Sequence, residues 1–152
     1  MDQPNAGGAP GRAADHPLAR APYARLTTFR RSGEAVGTAV WLAPSLEHPE
    51  RFAVITVDAT GKTKRLAHTQ RVEVCACDVR GRVADGAPTY RGTATVVRDP
   101  AGVTAVRRAV AAKYGFPARF AQLSAKVTGL VGIRQAPRAG ILIAVEPTPI
   151  PD

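Results

Sequence analysis

The sequence predicts a mainly β protein with flanking helices, built on a six-stranded antiparallel sheet that curls into a closed or split barrel. Three observations lead there. Five short runs rich in Val, Thr, Ile and aromatic residues lie before position 98, separated by turns that contain Gly or Pro. Apolar residues at helical spacing follow over 100–131, and one apolar run, Gly140 to Val145, ends the pattern. The order of five strands, two helices and one strand lacks the strand–helix alternation and the Gly-x-Gly-x-x-Gly fingerprint of a dinucleotide-binding domain.

Residues 1–22 are rich in Pro, Gly and Ala without an apolar period. They read as a disordered leader, leaving 23–152 as a single domain. Ala24 to Arg30 is the first strand, and Gly33 supplies a positive φ in the turn to its hairpin partner, Ala35 to Ala43. Pro44 and Pro49 break the chain into a loop before Arg51 to Val57, a strand apolar on both faces and therefore central. A turn at Gly61 and a short basic helical segment lead to the strand Arg71 to Asp78. There Val72, Val74 and Ala76 share one face, and Glu73, Cys75 and Cys77 share the other. A loop carrying Arg80 and Arg82 precedes the fifth strand, Thr89 to Val97, in which Gly92 marks a bend or bulge. Asp99 opens a helix with the stripe Val103, Val106, Val110 and Tyr114, and Gly115 stops it. A second amphipathic segment carries Phe120, Leu123, Val127, Leu130 and Val131.

The net charge of +9 points to anionic partners. No run reaches the roughly 18 apolar residues of a membrane span, and the start lacks a secretion-signal pattern. Cys75 and Cys77, the two cysteines, sit at a spacing that suits small core residues better than a mutual disulfide, so a cytoplasmic, disulfide-free protein is expected. The three histidines are scattered and the cysteines lack a second pair, so no metal is expected. No catalytic acid, base or nucleophile stands out. Aromatic residues make up 5% of the chain, with no interleaved aromatic–basic face, which argues against nucleic acid.

Anion-binding groups, by contrast, are plentiful. Lys62, Lys64 and Arg65 follow Gly61, and Thr56 and Thr60 precede it with hydroxyls. Alone, a Lys-rich turn is more often a solvated face; next to a Thr-bearing strand it also reads as a phosphate cradle. Arg80-Gly-Arg82 lies at the far end of the next strand, where the alternative is a solubilising turn. Between Pro100 and Val145 there are seven cations and no acid, which fits a solvent-facing helical layer or a surface for an anionic ligand. Few catalytic side chains beside many anion ligands suit an enzyme whose cofactor carries the chemistry.

Six motifs occur in order: Leu26-Thr-Thr-Phe-Arg-Arg-x-Gly33, Thr38-Ala-Val-Trp41, Gly61-Lys-x-Lys-Arg-Leu66, Cys77-Asp-Val-Arg-Gly-Arg82, Gly92-Thr-Ala94 and Lys113-Tyr-Gly115. Together, from Tyr23 to Pro147, they resemble the pyridoxamine-phosphate-oxidase-like (PPOX-class) flavin/deazaflavin oxidoreductases, in particular their coenzyme F420-dependent branch. The resemblance implies an FMN-binding type of split β-barrel, a homodimer with the cofactor in an interface groove, and hydride transfer involving a small unsaturated molecule. It implies F420, with FMN as the alternative cofactor, and a non-catalytic cofactor- or nucleic-acid-binding barrel as the alternative function. By the same resemblance Lys62, Lys64 and Arg65 hold the phosphate. Thr38, Val40, Trp41, Thr56 and Thr60 belong to segments lining the ring system, and Arg80 and Arg82 lie near the anionic portion. Thr69-Gln70 stands where the family often has Asn-Pro, and the loop Ser45 to Glu50 is long.

Overall fold

A computed structural model describes residues 11–58, 61–115 and 138–151. Within them are seven strands: β1 (Tyr23–Phe29), β2 (Ala35–Val40), β3 (Ala43–Pro44), β4 (Phe52–Val57), β5 (Arg71–Cys77), β6 (Thr89–Val97) and β7 (Arg138–Val145). Two α-helices are described, α1 (Gly61–His68) and α2 (Pro100–Tyr114). No helix among the described residues is long and apolar enough to cross a membrane. The second amphipathic segment expected from the sequence lies outside them.

The strands form one antiparallel sheet in the order β2-β1-β5-β6-β7-β4-β3. Its two outermost strands are joined in the chain by Trp41 and Leu42 alone. Two residues reach no more than about 10 Å between their flanking neighbours, so the sheet curls until its edges meet at that point. The strand count is therefore seven, not six. The expected strand Ala35 to Ala43 leaves its ladder at Trp41, and Ala43–Pro44 pair instead with Phe52 and Ala53 of β4. Among the described residues, β2 has β1 as its one strand neighbour, so the closure they show is partial.

Alternation along the strands sorts side chains between two cores. Ala24 and Leu26 of β1, Val72 and Val74 of β5 and Ile141 and Ile143 of β7, all fully buried, fill the barrel interior. The opposite face of β4 and β7 packs against α2, where Ala53, Ile55 and Leu142 meet Val103, Val106 and Val110. This double burial confirms β4 as the strand covered on both sides. Asp99 caps α2 by accepting from the Gly102 N–H at 2.8 Å, and Gly115 ends it at φ 94°. The register of β5, β6 and β7 runs unbroken through Gly92, so no bulge is present. Glycine is required there for space: a Cβ would lie 2.9 Å from the Ala144 carbonyl oxygen.

Both barrel ends are plugged. Leu66 of α1 enters the core at one end; Ala13 and Leu18 enter at the other. The expected leader thus differs from what the structure shows over 11–22, which contains two short 3-10 turns, Ala13–Asp15 and Pro17–Arg20. His16 anchors this plug. Its Nδ1 accepts from the Leu18 N–H at 3.1 Å, its Nε2 faces the Glu146 carbonyl at 3.1 Å, and its ring lies edge-on to Tyr90. Composition hid this, because two apolar side chains suffice to fill a barrel mouth without any periodic pattern.

The bend itself is held by the end of α2. Lys113 Nζ donates to the carbonyls of Leu42 (2.6 Å) and Ala21 (2.7 Å). The Tyr114 hydroxyl accepts from the Leu42 N–H at 3.2 Å and donates to the Pro22 carbonyl at 2.9 Å, while its ring stacks on Trp41 at 4.5 Å.

Two predictions follow from these plugs and latches. Leu18→Ala removes a side chain that is 3% exposed and should cost about 2–5 kcal/mol in urea unfolding; a truly disordered leader would tolerate it. Burial lowers the Lys113 ammonium from 10.5 to about 8, whereas in the unfolded chain it returns to roughly 10.4. Between those values the unfolded chain holds a proton that the folded chain has lost, so stability from this group rises with pH across that window. The stability of wild type relative to Lys113→Met should therefore be flat below about pH 8 and increase above it. Parallel pH profiles would contradict this.

Candidate functional site

The basic segment forms a true helix because Thr63 and Leu66 give it an inward face, 1% and 4% exposed, over the barrel end. Lys62 and Arg65 flank that inward face and are half-buried; Lys64 points to solvent. Lys62 has no hydrogen bond or ion pair among the described residues. Its ammonium is pulled below the usual lysine value, first by burial and then by the Arg65 charge. Arg65 is lowered by burial and by nearby Arg30, and Arg30 is itself paired to Glu34 at 3.0 Å. Among the described residues, Arg30 is paired to Glu34 and Asp58, between β4 and α1, is paired to Arg98, while neither Lys62 nor Arg65 has an acid partner.

Arg65 does not wander in solvent. Its Nε donates to the hydroxyl of Thr28, a fully buried residue on the interior face of β1. Sequence reasoning missed Thr28. Its signal was a polar side chain in phase with Ala24 and Leu26, on the face that should be apolar.

Two more threonines face the interior. Thr38 pairs with Leu26 across β1 and β2, and its buried hydroxyl has no partner. Such an orphan calls for a polar ligand or a water. Thr56 lies in phase with Phe52 and Val54, 6% exposed. β4 runs from the bend toward the α1 end and β2 runs back to the bend, so Thr56 lies near the α1 end and Thr38 nearer the bend. Lys62, Arg65 and Thr28 are brought together at the α1 end; Thr56 lies near the end of β4, and Thr38 lies farther along the interior toward the bend. Thr60 lies outside the described residues.

The remaining expected positions are elsewhere. Val40 packs in the barrel core, and Trp41 lies 8% exposed between the sheet and α2. Arg80 and Arg82 lie beyond the far end of β5, whose seven residues separate them from Arg71 by about 20 Å. One phosphate cannot touch both clusters of a single chain. The Arg80-Gly81-Arg82 turn also carries its own anion: Asp78 accepts from the Arg80 and Arg82 N–H groups, each at 2.9 Å. Those two bonds, the one from Arg82 foremost, with the two guanidinium charges, hold its carboxyl below the ordinary range. Arg25, a second residue missed by sequence reasoning, braces this turn by donating to the Gly81 carbonyl at 3.0 Å. Its guanidinium occupies the notch left by Gly37, where a Cβ would come within 2.4 Å. A mid-strand glycine opposite an arginine-bearing strand was the available signal.

Cys75 and Cys77 are free thiols on the outer face. Burial, with Asp78 next in weight, pushes Cys77 up to about 11, which keeps it a thiol at neutral pH and removes it as a nucleophile. The donor set around Lys62 and Arg65, all N–H, suits a phosphate, and what it can do chemically is hold one.

The described residues form a curled antiparallel sheet that carries half-buried cations at one end. The chain belongs to the pyridoxamine 5'-phosphate oxidase family, whose model matches residues 12–146. Solved structures share the fold. A conserved hypothetical protein, Rv2991 from Mycobacterium tuberculosis, is 20% identical with a TM-score of 0.58, covering 94% of this chain and 85% of its own. An F420 reductase is 19% identical with a TM-score of 0.55, covering 84% and 89%. A pyridoxamine 5'-phosphate oxidase-related, FMN-binding protein from Nostoc punctiforme is 16% identical with a TM-score of 0.53, covering 86% and 72%. No curated protein sequence matches the chain.

Carbon-13 methylation of lysines, followed by NMR titration, should show Lys62 losing its proton below the 10.5 of a free lysine. Addition of phosphate should move that titration upward, because an adjacent anion favours the charged form.

Proposed function

We propose that the protein is an F420-dependent oxidoreductase that transfers hydride to or from a small unsaturated molecule. The observation that carries this reading is the half-buried Lys62, with no ion pair among the described residues, beside the Arg65 guanidinium held on Thr28. A lysine keeps an unpaired buried charge at a cost, and a ligand anion offsets that cost. The deazaflavin supplies the hydride chemistry when bound. This chain's own residues bind and orient: Lys62, Lys64 and Arg65 hold the phosphate, and Thr38 and Thr56 offer hydroxyls along the partly open side of the barrel. The acid-free basic stretch after Pro100 complements an anionic tail. A second copy of the chain completes the cofactor groove, and the half-exposed outer face of β1 and β5 is available to it. The proton for reduction comes from solvent, since no activated acid stands near the site.

FMN in the same place is the second reading, favoured by the FMN-binding relative of the same fold and by the fact that Lys62 and Arg65 suit a phosphate monoester equally well. Fluorescence titration of the purified protein with F420 and with FMN separates the two. F420 should bind, and Lys62→Ala should weaken it at least tenfold, since a lost charge-assisted bond costs about 1.5–3 kcal/mol. Tighter binding of FMN would favour the second reading. An unchanged affinity in Lys62→Ala would remove the phosphate anchor from this site.

A further inference from the structure

Arginines that bind phosphate from a flexible side chain lose rotamer freedom on binding, whereas one already fixed in place binds more tightly for the same contacts. We infer that Thr28 and Gly61 are positioning residues that hold the Arg65 guanidinium in its phosphate-binding pose before any ligand arrives. The inference rests on reading the Lys62–Arg65 end as a phosphate anchor.

Three observations support it. First, Thr28 is fully buried on the interior face of β1, and its hydroxyl accepts from Arg65 Nε across 37 positions of sequence. That bond ties a helix side chain to the barrel wall. Second, the guanidinium lies flat against Gly61: a Cβ at that position would stand 2.5 Å from Nη1 and 3.2 Å from Cζ. Gly61 is not among the glycines with a positive φ, so the backbone does not require glycine there. Space for Arg65 does. Third, Thr28 engages Nε, which leaves the Nη groups as the donors for phosphate oxygens. The nearby charges of Arg30 and Lys62 make this pose unfavourable for a free arginine. Thr28 and the Gly61 notch are what keep it there.

The test uses the full chain, four single variants and one double variant, titrated by fluorescence with F420 and FMN and, for wild type, with inorganic phosphate as a competitor. Thr28→Val keeps the shape of the side chain and removes the acceptor, so it should weaken cofactor binding about fivefold; Thr28→Ser should restore it. Gly61→Ala improves helix propensity and should hold or raise the thermal midpoint while binding falls, an opposition that a merely structural role does not produce. In an Arg65→Ala background, Thr28→Val should have no further effect on binding. A second readout needs no cofactor. The Nε–H signal of Arg65 in nitrogen-15 NMR should be protected in wild type, lost in Thr28→Val and present in Thr28→Ser. Wild type that binds while Thr28→Val and Gly61→Ala bind equally well overturns the positioning role alone, as does an unprotected Nε–H in wild type. Wild type that binds neither cofactor nor inorganic phosphate overturns the anchor reading, and the positioning role with it.

Discussion

The bend at Trp41-Leu42 is the constraint on which the rest of the architecture depends. A strand that leaves one sheet edge to join the other must release its backbone groups from the ladder at the corner. Leu42 is buried there, and a buried N–H or carbonyl left unmade costs about 1–3 kcal/mol. Lys113 and Tyr114 satisfy both groups and reach on to Ala21 and Pro22. One helix end therefore fastens the closure of the sheet and the entry of the chain into β1. The position of α2 is set in turn by Val106 against Gly140, where a Cβ would come within 2.7 Å of the valine. Helix, closure and N-terminal plug are mechanically coupled through Leu42.

The same corner decides where polar groups can sit inside a barrel that is otherwise apolar. Close to the bend the interior is filled by aliphatic side chains and by the plug. Among the described residues β2 has one strand neighbour, and Thr28, Thr38 and Thr56 lie on the interior face. Helix α1 covers one barrel end with Leu66 and Thr63 and brings its cations to the rim. Lys62 and Arg65 thus stand at the α1 end, where the proposed function puts the phosphate. At the opposite end, Asp78 accepts from the backbone N–H groups of Arg80 and Arg82 and lies close to their charges.

Relatives of the same fold include an F420 reductase and an FMN-binding protein. Under the proposed function, an anchor of lysine and arginine would serve a phosphate on either cofactor, and selection between them would rest on the ring and the tail.

Much of the fold was legible in the sequence. Alternation in β1 and β5, the double-faced apolar run of β4, the Asp99 cap and the Gly115 stop each act over a few residues, and local patterns report local physics. The basic helix after Gly61 was legible for the same reason. Tertiary structure alone decided what depends on partners far apart in the chain. It split one expected strand into β2 and β3, because only the closing sheet places Ala43–Pro44 beside β4. It turned part of an apparently featureless leader into a plug, because a barrel mouth needs only Ala13 and Leu18. It separated Arg80 and Arg82 from Lys62 by the length of β5, moved Trp41 beneath α2, and joined Arg65 to Thr28. Periodicity carries no information about such long-range pairings, since each depends on how the sheet curls.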